Sequence, residues 1–203
     1  MRKVDCDSLP HMINCVARIL AKHWHTAGGR LAARWWGIEL EKPNSFHGHV
    51  RFQRHPGSRI AIGPGSCFRD STNRPSTIRT LSETAKVQIG ANCGFSGTYI
   101  ACATSIVLGE NILCGADTTI WDTDFHPEDP RSGPDAPVII GDNVWLGVGV
   151  IVLKGVTIGE NTIVGAGGLV TRSLPAGVIA MGTPARVAKK MDAEDVEVLR
   201  GHC

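Results

Sequence analysis

The chain has 203 residues, a formal net charge of +2 and 20 % charged residues. That length supports one domain with a sizeable core, and so balanced a charge supplies no strong field for nucleic acid or an acidic polymer. Glycine is over-represented at 24 residues while aromatics make up 5 %, a balance that favours many short strands joined by tight corners.

At the start of the chain, Met1-Arg2-Lys3 is followed by Asp5, Asp7 and Pro10 rather than by the apolar run of a signal peptide. No stretch of about 18 uncharged apolar residues follows anywhere. The seven cysteines (Cys6, Cys15, Cys67, Cys93, Cys102, Cys114 and Cys203) are odd in number and form no Cys-x-x-Cys pair. They read as reduced thiols serving as small apolar residues in a cytoplasmic protein, not as zinc ligands or a redox pair.

Ile13, Val16, Leu20 and Trp24 fall at helical spacing, Gly28-Gly29 interrupts, and Leu31 to Trp36 reads as a second short helix. Residues 1–45 are therefore expected to form a helical cap. This segment has no acidic residue between Asp7 and Glu39, yet Arg18, Lys22, Arg30 and Arg34 lie among Ile13, Leu20, Trp24, Trp35 and Trp36. Two readings follow: a basic, tryptophan-bearing face lying on an anionic membrane surface, or a cap packed on the domain with its cations in water, which is preferred.

From residue 46 to 191 the organisation changes. Aliphatic residues recur every six positions at Ile140, Leu146, Val152, Ile158, Val164 and Val170, with Gly141, Gly147, Gly159 and Gly165 directly after four of them. Four residues after each of the first four aliphatics come Val144, Val150, Val156 and Thr162. Upstream the beat runs Ile89, Phe95, Ala101, slips by one residue, and resumes at Leu108, Cys114 and Ile120, with a weaker instance at Ile62-Gly63. A six-residue period fits neither an amphipathic helix nor an ordinary alternating strand. It fits a three-sided solenoid of very short parallel strands, about 18 residues per coil. Residues 121–137, with Pro127, Pro130, Pro134 and Pro137, interrupt the beat; a protruding loop on a regular scaffold is where function concentrates. Asp192 is a candidate N-cap for a short terminal helix ending near Leu199, within a tail of residues 192–203.

The interruption opens Trp121-Asp122-Thr123-Asp124-Phe125-His126-Pro127. This resembles the Asp-x-Asp-x-His-Pro loop of hexapeptide-repeat O-acetyltransferases, the maltose, galactoside and polysaccharide-modifying enzymes among them. Gly141 to Gly147, Val164 to Gly167 and Gly182 to Arg186 match the same family in order, so the resemblance spans roughly residues 60–191. It implies an all-β fold, the left-handed parallel β-helix, and transfer of an acetyl group from acetyl-CoA to a sugar hydroxyl. It also implies a homotrimer with its sites at subunit interfaces. His126 is then the candidate base: a sugar hydroxyl is a weak nucleophile, and an imidazole can take its proton and return it to the departing thiolate. If the loop is extended, Asp122, Asp124 and His126 share one face, so either carboxylate is placed to orient the ring or to contact the acceptor. Ser96 in Phe95-Ser96-Gly97-Thr98 is a candidate acceptor contact. On the donor side the resemblance puts Trp145 beside the pantetheine arm and main chain around Gly147, Ala166 and Gly167 against its amides. Thr171 matches a polar contact, and Arg186 and Lys189, with Lys190 as a further candidate, match a basic tail for the CoA phosphates.

Other classes are less well served. A carbonic anhydrase on this fold needs three zinc-binding histidines, and within the repeat only His126 is present, so no metal is expected. A catalytically silent scaffold would not need the loop histidine, Trp145 and the basic tail together. An amine acceptor, as in nucleotide-sugar or antibiotic N-acetyltransferases, remains the alternative within the enzymes.

Overall fold

The computed structural model describes residues 23–126 and 128–200. Three parallel faces account for almost all of it, two sheets of six strands and one of eight. The first face stacks Glu39–Leu40, Arg59–Ile62, Lys86–Ile89, Ser105–Leu108, Val138–Ile140 and Thr157–Ile158. The second stacks Ser45–His47, Cys67–Arg69, Gly94–Ser96, Leu113–Cys114, Trp145–Leu146, Ile163–Val164 and Val178–Gly182, and ends in an antiparallel hairpin with Ala185–Lys190. The third stacks Val50–Gln53, Ser76–Thr80, Tyr99–Cys102, Thr119–Trp121, Ile151–Val152 and Leu169–Val170. The chain visits the faces in that order, so each coil lays one short strand on each of the strands below it. The six-residue beat is the path from one face to the next.

The inward residues stack in columns. On the second face the column is Phe46, Phe68, Phe95, Cys114, Leu146, Val164 and Ala180, paired in register. Its lower rings stack face to face, 5.2 Å apart for Phe46–Phe68 and 4.9 Å for Phe68–Phe95. On the third face one expectation is corrected. Ile120 pairs with Ile100, which is the buried inward residue, whereas Ala101 pairs with Arg79 and Trp121 on the outer side. The strand Tyr99–Cys102 reaches its inward position one residue early, and the bend to the next face absorbs the difference. Asparagines turn the corner between first and second faces: Asn92, Asn111, Asn143 and Asn161 all lie at φ of 53–57°, the left-handed region Asn tolerates best among non-glycine residues. Their amides form a ladder, Asn111 to Asn143 at 3.0 Å and Asn143 to Asn161 at 3.3 Å.

At the N-terminal end a single helix covers residues 23–35, so Gly28-Gly29 does not divide it. Gly29 is there for packing: a Cβ at this position would overlap the ring of Phe46, so only glycine lets the helix rest on that ring. Ala33 is buried beside it, whereas Trp24 and Trp35 are 80 % and 87 % exposed. The solenoid starts ahead of residue 46, since Glu39–Leu40 and Ser45–His47 already belong to its faces. The helical reading of Ile13, Val16 and Leu20 lies outside the described residues. At the other end the helix Ala193–Arg200 is capped by Asp192, whose Oδ1 accepts from Asp195 N at 2.9 Å while Asp195 Oδ2 accepts from Asp192 N, a reciprocal cap.

Candidate active site

The longest interruption of the coil among the described residues lies between Trp121 at the end of the third face and Val138 at the start of the first. A neck holds this loop. Ala136 N donates to the Asp122 carbonyl at 3.0 Å, and Gly155 N of the next coil donates to Ala136 O at 3.0 Å. Lys154, on that same coil, reaches across to Asp124 at 2.6 Å and to the Gly133 carbonyl at 2.7 Å. Its ammonium therefore ties both sides of the loop to the scaffold.

The two aspartates of the motif part company. Asp122 is fully buried. Its carboxylate accepts the main-chain N–H groups of Ala103, Thr104 and Ser105 at 2.6, 2.7 and 2.8 Å, and the Thr104 hydroxyl at 2.9 Å. The Cys102 thiol also points at it, 3.4 Å away. These are the N–H groups of the corner where the six-residue beat slips. The extra residue leaves them without strand partners, and the carboxylate satisfies them. Asp122 thus builds the corner and does not share a face with His126. The alternation fails because the loop is not extended: Phe125 adopts φ of 64°, a left-handed turn supported by its N–H donating to Thr123 Oγ1 at 3.1 Å. Such a turn is costly for a bulky residue and reverses the chain locally.

The turn delivers His126 to a cleft of about 250 Å³ lined by Asp124, His126, Ser132, Gly133, Pro134 and Asp135. Asp124 and His126 are therefore brought together, with Asp124 half-exposed and held by Lys154. The carboxylate nearest His126 Nδ1 is that of Glu128, 3.6 Å away, with both side chains largely exposed. Lys154 and Glu128 are the residues that sequence reasoning missed; neither belongs to the motif, and only the stacking of coils puts Lys154 under the loop.

The remaining candidates lie elsewhere on the prism. Ser96 lines a separate hollow on the second face with Cys67, Arg69 and Phe95, which shares no residue with the His126 cleft. Trp145 stands on the second face, half-exposed, in register with Leu113 and Ile163. Gly147 follows it at the corner with the third face, where a Cβ would meet Ala166 N at 2.6 Å; Gly167, at φ of 69°, has nothing within 4 Å of the Cβ position, and its N–H donates to the Val148 carbonyl at 2.7 Å. The Gly167 carbonyl accepts from Thr183 Oγ1 at 3.2 Å. Arg186 lies in the terminal hairpin opposite Met181. Trp145, Gly147, Ala166, Gly167 and Arg186 thus form one strip along the second face and its edge. Thr171 follows the last strand of the third face, exposed and apart from them. Lys189 is ion-paired with Asp195, which raises the ammonium pKa and lowers that of the carboxyl. Among the described residues no group of three or more His, Cys, Asp or Glu could hold a metal ion.

Residues 137–172 match the family described as bacterial transferase hexapeptide (six repeats). A galactoside O-acetyltransferase of Lactococcus lactis is 45 % identical over 97 residues, 45 % of this chain and 46 % of that protein. A galactoside O-acetyltransferase of Escherichia coli is 35 % identical over 117 residues, 55 % of this chain and 57 % of that protein. The chain spans about half the length of these curated relatives. Among solved structures, a galactoside acetyltransferase in complex with coenzyme A superposes with a TM-score of 0.50 at 25 % identity, over 78 % of this chain and 66 % of that one. Residues 137–172 thus carry the hexapeptide repeat of bacterial transferases, and the three-faced parallel solenoid of this chain is similar to the fold of that acetyltransferase.

Proposed function

We propose that the protein transfers an acetyl group from acetyl-CoA to a sugar hydroxyl, with His126 as the base. The observation that carries the reading is the delivery of an exposed imidazole, by a pinned loop and a left-handed turn, into a cleft it shares with Asp124. The imidazole takes the hydroxyl proton as the oxygen attacks the thioester carbonyl, and the tetrahedral centre then expels the CoA thiolate, which receives the proton from the imidazolium. Asp124 is placed to accept a hydrogen bond from a neighbouring hydroxyl of the acceptor. The curated relatives named above are galactoside O-acetyltransferases, and the similar solved structure is a galactoside acetyltransferase in complex with coenzyme A, which supports the donor and the acceptor class. Trp145, the uncrowded glycine edge at Gly167, and Arg186 are suited to the pantetheine arm and the phosphates.

His126 and Trp145 occupy different sides of the prism, so a site that uses both draws them from two copies of the chain. Trp145, Val148, Met181 and Val187 are exposed apolar residues at the second face, as a subunit contact requires, and a closed trimer is the proposed assembly. The test is His126→Ala: thiol release should fall by about 10²–10⁴-fold while CoA affinity is retained. Unchanged thiol release would remove His126 as the base.

A peripheral membrane contact is a second reading with one observation behind it. Trp24, Leu31 and Trp35 are 80, 68 and 87 % exposed and fall on one stripe of the helix, with Arg30 and Arg34 beside it. Sedimentation with anionic vesicles at low salt tests this; protein left wholly in the supernatant rejects it.

A further inference from the structure

On the third face, below the loop, outward side chains from three successive strands make one plate. Arg79 comes from Ser76–Thr80, Tyr99 from Tyr99–Cys102 and Trp121 from Thr119–Trp121. Arg79 Nη1 donates to the Tyr99 hydroxyl at 3.2 Å. The Tyr99 and Trp121 rings meet edge to face at 6.5 Å, and Trp121 meets Phe125, the neighbour of His126, at 5.2 Å. Ala101, paired with both Arg79 and Trp121, is wholly covered although it faces outward. Strands in a sheet lie about 4.8 Å apart, so the plate extends about 10 Å from the strand of Trp121 to that of Arg79.

Two donors in this plate are covered and unpaired, Trp121 Nε1 and Arg79 Nε. The contrast with Arg74 on the other side of Tyr99 is informative. Arg74 lies 5.8 Å from the centre of the same ring, and its donors go to the carbonyls of Gly97, Asp117 and Thr118 and to Thr119 Oγ1, with the Asp117 carboxylate at 3.6 Å. Arg79 has a phenol oxygen as its acceptor and no carboxylate within ion-pair reach among the described residues. A guanidinium carries five N–H donors, and a half-buried cation without a counter-charge is unfavourable until an anion joins it. Aromatic faces next to it offer the C–H side of a sugar ring a flat apolar partner.

We propose that this plate is the acceptor subsite and that it selects an acidic sugar, with the pyranose ring against Trp121 and Tyr99 and its carboxylate on Arg79. The inference rests on the reading of His126 as the base; Trp121 meets Phe125, the residue before that histidine in the chain. The test compares methyl glucuronide with methyl glucoside, which differ by the carboxylate alone, in NMR titrations of the CoA-loaded protein. The glucuronide should bind at least about tenfold more tightly, as a charge-assisted guanidinium pair gives. The advantage should shrink on adding salt, fall to within about twofold in Arg79→Gln, and survive in part in Arg79→Lys, which keeps the charge without the fork. Equal affinity for the two glycosides, binding of neither, or a preference untouched by Arg79→Gln overturns the proposal. Loss of the oligomer in Arg79→Gln, with wild-type protein treating both glycosides alike, assigns the plate to a subunit contact and also overturns it. Acid-selective binding without thiol release would keep the subsite and remove the transfer reading; thiol release on neutral sugars alone would do the reverse.

Discussion

Replacing Asp122 separates a structural carboxylate from a catalytic one. In Asp122→Ala the N–H groups of Ala103, Thr104 and Ser105 lose their shared acceptor inside the protein. Each buried donor left unpaired costs about 1–3 kcal/mol, and some water entry is expected, so the loss is about 4–6 kcal/mol. That is a large share of the roughly 5–15 kcal/mol that holds a typical domain together. Asp122→Asn keeps one carbonyl oxygen but turns an amide N–H₂ toward those donors, and a smaller loss of about 2–3 kcal/mol follows. Urea unfolding at fixed protein concentration measures both, as a lowered midpoint with an unchanged slope. Thiol labelling gives a second readout, because the Cys102 thiol faces the same carboxylate and should become easier to alkylate in Asp122→Asn. A variant with its unfolding free energy within about 0.5 kcal/mol of wild type and no thiol release would refute this account and return Asp122 to the chemistry.

Lys154→Met should leave stability within about 1 kcal/mol, since Asp124 is half-exposed and such pairs contribute little, but should lower kcat severalfold by freeing the loop; an unchanged kcat argues that the loop is held without it. Gly29→Ala should destabilise the protein by about 1–3 kcal/mol despite its gain in helix propensity, because the added carbon meets the Phe46 ring, and limited proteolysis should cut residues 23–35 first. Burial pushes the Cys102 and Cys114 thiols up, Asp122 adding to the shift at Cys102, so both stay protonated in the fold. Their stabilising effect is full below about pH 8.5, the value of a free thiol, and is lost progressively as pH rises above it. Among the four cysteines of the described residues, alkylation of the native protein at pH 8 should modify Cys67, the half-exposed one, ahead of Cys93, Cys102 and Cys114.

The coil was legible in the residues because a solenoid repeats one local rule: an inward aliphatic and a tight corner, set by neighbours six positions away. Ile140, Leu146, Val152, Ile158, Val164 and Val170 could be read off and are all buried. The loop and its histidine were legible for the complementary reason, as the place where the rule stops. What the linear order could not supply was anything decided between coils. Ile100 rather than Ala101 faces inward because strands below and above set the register. Asp122 turns away from His126 because a corner on the preceding coil lacks acceptors, and Lys154 serves the loop because the next coil lies against it. The helix runs through Gly28-Gly29 because a phenylalanine from the solenoid fills the space a side chain would need. Periodicity is a property of short range and survives in one dimension; the partners of a buried charge or a close contact are chosen by stacking, and only the folded chain brings them within reach.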